Sequence, residues 1–318
     1  MKPIRIIKNR SDIGAGTRGS DMGIDAIEIA AINKSNDYFM KYDYMDLDTH
    51  NETVYSKVKA PFAKRISFVL EQCQRLSSAV SNVLGAGEFP LVMSGDHSSA
   101  LGTISGIKAQ YPDKKLAVIW IDAHADLHSP YTTPSGNVHG MPLAAALGFD
   151  NQEEAINSVS DNTRKIWEDL KSLGIDGAKL SPDSLVFFGV RDTEEPEENL
   201  MARHNIRNYS VSEFRFRGAE LCLQECKDYL NDADMIYISF DVDSLDCDLV
   251  SKGTGTPVSK GFDPDEVKFI IKSLMDTSKL ACLEITEVNP LLDTKGNVMA
   301  ETAFEVLDDV TKHLESKV

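Results

Sequence analysis

Two short segments of this 318-residue chain combine aspartate and histidine at spacings that could bind a metal ion. Asp122, His124 and Asp126 alternate along the first segment, and Asp241 and Asp243 alternate along the second. In an extended chain, residues that are two apart project to the same side, so each set can converge on one point. No lysine or arginine stands next to either set in the sequence.

His97 belongs to a third segment of the same kind, GDHS at 95–98. A single aspartate pair is a weak signal, because loop aspartates commonly cap helices and turns. Gathered carboxylates, however, are costly to desolvate unless a cation compensates their charge. Three such segments together therefore indicate one or two divalent metal ions, and a mixed histidine and carboxylate ligand set favours Mn²⁺ over Zn²⁺.

The three segments follow apolar runs that predict buried strands. Such runs lie at 4–7, 90–94, 116–121, 185–190, 235–240 and 280–286. They are nearly continuous rather than alternating, which is typical of parallel strands covered on both faces. Helical patterns lie between them, most clearly at about 61–84, from Asp263 onward, and at about 302–316. The sequence thus predicts one α/β domain over residues 1–318, a three-layer α/β/α fold with a mainly parallel central sheet.

This architecture also predicts where a ligand binds, since open parallel sheets hold ligands outside the carboxyl ends of their strands. Composition limits the ligand: 33 Lys and Arg against 50 Asp and Glu give a formal net charge of −17, which argues against nucleic acid. No apolar run is long enough to span a bilayer. Five cysteines without a CxxC spacing and the absence of a signal peptide favour a soluble, cytoplasmic enzyme.

Longer motifs around these residues resemble the ureohydrolase family, and the arginases in particular. They are GDHS at 95–98, DAHAD at 122–126, SGNVHG at 135–140, SFDVDSLD at 239–246, GTGTP at 253–257 and EVNP at 287–290. The similarity runs in family order from about residue 14 to the C-terminal helix. It implies two Mn²⁺ per chain and hydrolysis of L-arginine to L-ornithine and urea by a metal-bridging hydroxide. The same resemblance implies a role in arginine metabolism or the urea cycle, and a homo-oligomer, either a trimer or a hexamer.

The resemblance further implies roles for individual residues. The ligands of one ion would be His97, Asp122, Asp126 and Asp241, and those of the other would be Asp122, His124, Asp241 and Asp243. Asp122 and Asp241 would thus bridge the two ions. Asp126 would also orient the hydroxide, His139 would carry a proton to the departing amine, and Glu287 would grip the substrate guanidinium.

Residues that would bind the far end of the substrate depart from the family pattern at two positions. Ser135 and Asn137 match positions that arginases use for the α-carboxylate and α-amino end of arginine. Glu197 matches an acidic partner of the α-amino group, and Glu194 stands where arginases usually have an aspartate. His128 replaces a typical asparagine and could still donate a hydrogen bond to a carboxylate.

Two alternatives to an arginine hydrolase remain open from the sequence. One is a relative that acts on agmatine, guanidinobutyrate or formiminoglutamate, although the polar SGNVHG loop favours a substrate with an amino acid head. The other is a non-catalytic metal-binding protein on the same fold. We expect such a protein to lack one of the metal ligands, and this sequence retains all six ligand positions.

Overall fold

Eight parallel strands form the centre of the computed structural model, which describes residues 2–316. The strands are β1 (Ile4–Asn9), β2 (Asp43–Asp46), β3 (Phe89–Ser94), β4 (Leu116–Ile121), β5 (Leu185–Phe188), β6 (Arg207–Tyr209), β7 (Met235–Asp241) and β8 (Leu280–Thr286). They lie in the order β2-β1-β3-β8-β7-β4-β5-β6, and every neighbouring pair is parallel.

Helices cover both faces of this sheet. They are α1 (Gly23–Asn33), α2 (Tyr38–Lys41), α3 (Ile66–Gly85), α4 (Ala100–Gln110), α5 (Pro142–Leu147), α6 (Asp161–Lys171), α7 (Glu195–His204), α8 (Val211–Arg217), α9 (Ala219–Tyr229), α10 (Pro264–Met275) and α11 (Val298–Ser316). One apolar core joins the sheet to α1, α2 and α8–α11, and a second joins it to α3–α7. The predicted three-layer α/β/α fold is therefore confirmed. Within residues 2–316, no helix is long and apolar enough to cross a membrane.

All six apolar runs form strands, with ends that differ from the predicted ones by no more than two residues. The sequence did not predict β2 and β6, which lie at the two edges of the sheet. Both are short and polar, and β2 is mostly exposed, so neither has the apolar run that marks a buried strand. Edge strands have only one neighbour, and burial constrains their composition less.

Two helix starts also differ from the prediction. Helix α3 begins at Ile66 rather than near residue 61, because Arg65 adopts a left-handed φ of 57° and the Lys64 N–H donates to Gly136 O at 2.8 Å. Helix α11 begins at Val298 rather than near residue 302, and the Met299 N–H donates to Asp293 Oδ2 at 2.8 Å. A contact distant in sequence accompanies the start of α3 and a local contact that of α11, and the helical periodicity contains neither.

Helix α10 begins as the sequence predicted. Asp263 Oδ1 accepts a hydrogen bond from the Glu266 N–H, and Glu266 Oε2 accepts one from the Asp263 N–H, both at 2.8 Å. Pro264 occupies the first helical position. This reciprocal capping satisfies two backbone donors that the helix itself leaves unpaired.

Replacing Asp263 by alanine should lower the free energy of unfolding by about 1 kcal/mol, because one N-terminal donor of α10 loses its acceptor. Urea denaturation followed by circular dichroism measures the change. The matched control is Asp265→Ala, since Asp265 lies in the same turn but forms only an exposed ion pair with Lys268. Equal destabilisation by the two variants would show that the cap contributes nothing specific.

Candidate active site

The polar segments singled out in the sequence come together at the carboxyl edge of the sheet. Asp122 directly follows β4, Asp241 ends β7 and Glu287 directly follows β8, while His97 lies three residues beyond β3. Since β3, β8, β7 and β4 are neighbours, these side chains meet around one cavity of about 270 Å³. This is the edge at which the fold rule places a ligand.

Three carboxylates surround one imidazole nitrogen at the base of this cavity. His97 Nδ1 lies 2.9 Å from Asp122 Oδ2, 3.1 Å from Asp241 Oδ2 and 3.2 Å from Asp126 Oδ2. Among the described residues, however, neither His97 Nδ1 nor Asp122 Oδ2 has a partner with hydrogen-bond geometry, although both atoms are buried. A ring nitrogen can share at most one proton with three acceptors, whereas a cation can be ligated by all four atoms. The arrangement fits a metal position.

A second group overlaps the first. His124 Nδ1 lies 2.9 Å from Asp243 Oδ2 and 3.5 Å from Asp122 Oδ1. Asp122 therefore offers one oxygen to each group. The ligand atoms of His97, Asp122 and Asp126 lie within 4.8 Å of one another, and so do those of Asp122, His124 and Asp243. The geometry provides two adjacent cation positions that share Asp122.

The buried carboxylates of this cluster repel one another when no cation is bound. Burial, followed by the charges of Asp243 and Asp122, raises the pKa of Asp241 well above its usual range. Burial and the Asp122 charge likewise raise the pKa values of Asp126 and Asp243. Burial opposes ionisation of Asp122 too, but its histidine neighbours outweigh that effect and lower its pKa. Divalent cations would remove the repulsion, since they stabilise every carboxylate as an anion.

Three further residues, which the sequence analysis did not assign a role, hold the ligand side chains in place. Ser239 Oγ lies 2.7 Å from His97 Nε2. The Trp120 ring stacks on the His97 ring, with the ring centroids 3.9 Å apart and an angle of 4° between the ring planes. Thr256 Oγ1 donates to Asp243 Oδ2 at 3.0 Å. Partners of this kind fix the orientation of a metal ligand. Ser239 lies within the SFDVDSLD motif and Thr256 within the GTGTP motif, and this was the one sequence signal that pointed to these two residues.

Two acidic residues of the site have strained backbone conformations. Asp126 has a φ of 50° and Glu287 a φ of 67°, both in the left-handed region that non-glycine residues seldom adopt. The Asp126 carbonyl accepts a hydrogen bond from the Leu143 N–H, and the Glu287 N–H donates to Gly95 O. Such conformations persist only where the surrounding structure enforces them, and they concentrate at functional sites.

A half-buried histidine and a buried glutamate form a pair beside the metal positions. His139 Nδ1 lies 3.0 Å from Glu287 Oε1, which also accepts a hydrogen bond from the His97 N–H at 3.0 Å. Burial by itself lowers the pKa of His139. The hydrogen bond and charge of Glu287 outweigh it and raise this pKa to about 9. The Glu287 carboxylate thus favours the protonated form of the imidazole.

The outer part of the cavity has an acidic side built around His128. His128 Nε2 lies 2.9 Å from Glu194 Oε2 and 3.5 Å from Glu197 Oε2, and its Nδ1 lies 3.1 Å from Thr132 Oγ1. The two glutamates also form the reciprocal cap at the start of α7. Burial raises the pKa of Glu197 to about 7, whereas the hydrogen bond from His128 lowers that of Glu194 to about 2.

Ser135 and Asn137 line the same cavity in the loop before His139. Ser135 Oγ accepts a hydrogen bond from the Asn137 N–H at 3.2 Å, and Ser135 is exposed. Every residue that the sequence analysis proposed for the site, with the exception of the buried Asp122, lines this cavity. Asp122 lies directly beneath it, in contact with His97.

Comparison with known proteins agrees with this geometry. The model of the arginase family matches residues 2–312. The arginase of Bacillus caldovelox is 34% identical, over 93% of this chain and 94% of its own. The arginase of Bacillus subtilis is 33% identical, over 97% of both chains. A crystal structure of the Bacillus subtilis arginase superimposes with a TM-score of 0.82, covering 97% of this chain and 98% of its own. The chain belongs to the arginase family.

As a member of the arginase family, the chain is an enzyme, an amidinohydrolase of the arginase type. The resemblance inferred from the sequence motifs is thereby confirmed. The individual roles that it implied, including a bridging position for Asp241, stay predictions. Asp241 contacts His97, and its Oδ1 accepts a hydrogen bond from the Asp243 N–H at 2.8 Å, so it adjoins both cation positions.

Replacing Asp122 by alanine should abolish stable binding of at least one cation, because this residue belongs to both ligand groups. The wild-type protein should retain two divalent ions per chain after dialysis, measured by elemental analysis. Addition of the metal should also raise its melting temperature by mass action. Asp161→Ala is the control, because Asp161 is exposed at the start of α6, outside the cavity and outside both ligand groups. A wild-type stoichiometry of one, or two ions in the Asp122 variant, would contradict the shared-ligand model.

Proposed function

We propose that this enzyme hydrolyses L-arginine to L-ornithine and urea and that it binds two Mn²⁺ ions per chain. The observation that carries the proposal is the pair of histidine and aspartate groups sharing Asp122, with the Glu287 and His139 pair beside them in one cavity. Membership in the arginase family and two relatives named as arginases, each at least 33% identical, support the choice of substrate.

The donor set is suited to two divalent ions. His97, Asp122, Asp126 and Asp241 would hold one ion, and His124, Asp243, Asp122 and Asp241 would hold the other. Imidazole nitrogens and carboxylate oxygens together favour Mn²⁺. Bound ions of this kind would lower the pKa of water and so supply hydroxide near neutral pH, which a poor electrophile such as a guanidinium requires.

Residues of the chain would orient the reactants and move the proton. Glu287 accepts hydrogen bonds from the substrate guanidinium. Asp126, which is grouped with His97 and Asp122, orients the attacking water molecule. His139 is fixed by Glu287 through Nδ1, so its Nε2 remains to donate a proton to the departing amine. The raised pKa of His139 suits this role, because the donor must be protonated before the carbon–nitrogen bond breaks.

The outer residues would select a substrate with an amino acid head. Glu194 and Glu197 form an acidic side that attracts the α-ammonium group, and Ser135 and Asn137 offer polar groups to the α-carboxylate. A cytoplasmic location, a part in arginine metabolism or the urea cycle, and a trimeric or hexameric assembly remain predictions. All five cysteines are buried and free, which is compatible with a reducing compartment.

Urea release tests the proposal directly. The chelated protein should be inactive, and Mn²⁺ should restore hydrolysis of L-arginine well above that of agmatine or guanidinobutyrate. Formiminoglutamate, assayed by the formamide it would release, completes the set. Faster turnover of any of these compounds than of L-arginine would replace the proposed substrate. Lack of activity on all four despite two bound ions would favour a non-catalytic protein.

Replacing His139 by alanine should lower kcat by about 10²–10⁴-fold while two metal ions remain bound, because its role is proton transfer. Added imidazole should restore part of the activity. His204→Ala is the control, since His204 lies at the end of α7 outside the cavity and stacks on Phe149. Loss of metal from the His139 variant would instead make this residue a ligand.

A further inference from the structure

The outer part of the cavity, beyond the His139 and Glu287 pair, has no lysine or arginine from residues 2–316 to meet a substrate carboxylate. Among the described residues, the cavity lining consists of histidines, acidic residues, small polar residues, Pro134 and Gly140, with neither lysine nor arginine. An α-amino acid substrate nevertheless brings a carboxylate into a site that already contains Asp192, Glu194 and Glu197. Placing an anion there requires a compensating donor or cation nearby.

His128 is not available to donate a hydrogen bond to the substrate carboxylate. Its Nε2 lies at hydrogen-bonding distance from Glu194, and its Nδ1 lies at such a distance from Thr132. A carboxylate could reach a ring nitrogen only by displacing one of these partners. The residue that the sequence analysis expected to face the carboxylate is therefore engaged with the acidic side of the cavity.

Lys64 places a positive charge next to the part of the cavity wall that Asn137 forms. Its ammonium nitrogen donates a hydrogen bond to Asn137 Oδ1 at 3.0 Å, and Asn137 lines the cavity. An ammonium group has three N–H donors, and within residues 2–316 the Asn137 oxygen is its one hydrogen-bond partner. Lys64 is half-buried, so its charge is less screened than that of a fully exposed lysine.

The backbone holds Lys64 in this position. The Lys64 N–H donates to Gly136 O at 2.8 Å, and a Cβ atom on Gly136 would lie 1.9 Å from Pro61 O. Gly136 also has a φ of +75°, which glycine adopts without strain. The segments 61–64 and 135–137 therefore pack backbone against backbone, and the lysine is tied to the loop that carries Ser135 and Asn137.

We propose that Lys64 supplies the positive charge that binds the substrate carboxylate at the wall formed by Ser135 and Asn137. This inference rests on the proposed function and deepens it, since it restricts the substrate to guanidino compounds that bear a carboxylate near their far end. Glu194 and Glu197 bind the ammonium group on one side of the cavity, and Lys64 binds the carboxylate on the other. Lys64 is a specificity residue and takes no part in the bond cleavage.

The test compares Lys64→Met with the wild-type enzyme, both loaded with Mn²⁺, on L-arginine, L-argininamide and agmatine. The KM for L-arginine should rise about tenfold, the loss expected for one charge-assisted hydrogen bond, while kcat stays the same. The KM values for the amide and for agmatine should change by less than about twofold, because neither substrate has a carboxylate. Lys64→Arg should keep most of the preference for L-arginine.

Lys59→Met is the matched control, because Lys59 lies in the same loop and is exposed. Its kinetics should equal those of the wild type. A second measurement uses salt: higher salt should raise the KM for L-arginine by a larger factor in the wild type than in Lys64→Met, because only the wild type has the lysine charge to screen.

The outcomes separate the two proposals. A parallel rise in KM for all three substrates in Lys64→Met would make the residue structural and overturn the inference. So would an unchanged preference for L-arginine, or equal salt effects on the KM for L-arginine in the wild type and in Lys64→Met. If the wild-type enzyme releases no urea from L-arginine, the proposed function fails, and the role of Lys64 fails with it.

Discussion

Mutual repulsion among buried carboxylates is the constraint on which the structure of the site depends. The register of the sheet creates it: Ile121 of β4 pairs with Phe240 of β7, so the next residues, Asp122 and Asp241, emerge side by side. Asp241 pairs in turn with Thr286 of β8, which brings Glu287 to the same edge. A parallel sheet thus gathers like charges that the chain would otherwise keep apart, and only a cation stabilises them together.

Uncharged side chains contact the ligand side chains of this cluster, whereas the one cation that we find against it among the described residues, Arg191, donates to the backbone oxygen of Asp243 at 3.0 Å and leaves the carboxylate free. Ser239, Trp120 and Thr256 contact its ligands, and none of them carries a charge that could compete with a metal ion. The buried carboxylate beneath the cluster is also held by uncharged donors. Glu284, fully buried on β8, accepts hydrogen bonds from Thr103 and Tyr237 as well as from Ser94. A lysine or arginine at such a position would neutralise the cluster and remove the reason for binding a cation.

The sequence could predict what depends on local pattern. The central strands are continuous apolar runs, and the Asp122 and Asp241 segments have a two-residue period, so their convergence at one edge follows from the sheet alone. The edge strands β2 and β6 lack such runs. The contacts of Ser239 with His97 and of Lys64 with Asn137 join residues more than 70 positions apart, and no local pattern encodes them. The pairing of His128 with Glu194 is likewise a contact between two separate loops.

Charge balance explains why the far end of the cavity matters so much to this enzyme. Two divalent cations would balance the four aspartates of the centre, Asp122, Asp126, Asp241 and Asp243, and leave it neutral. The other charged groups of the cavity are then the Glu287 and His139 pair near the centre and Asp192, Glu194 and Glu197 toward its mouth. Such a field attracts a guanidinium at one end of the substrate and an ammonium at the other, but it repels a carboxylate. Recognition of an amino acid therefore requires a positive charge outside the cavity lining, and the loop that carries Asn137 is where the chain provides one.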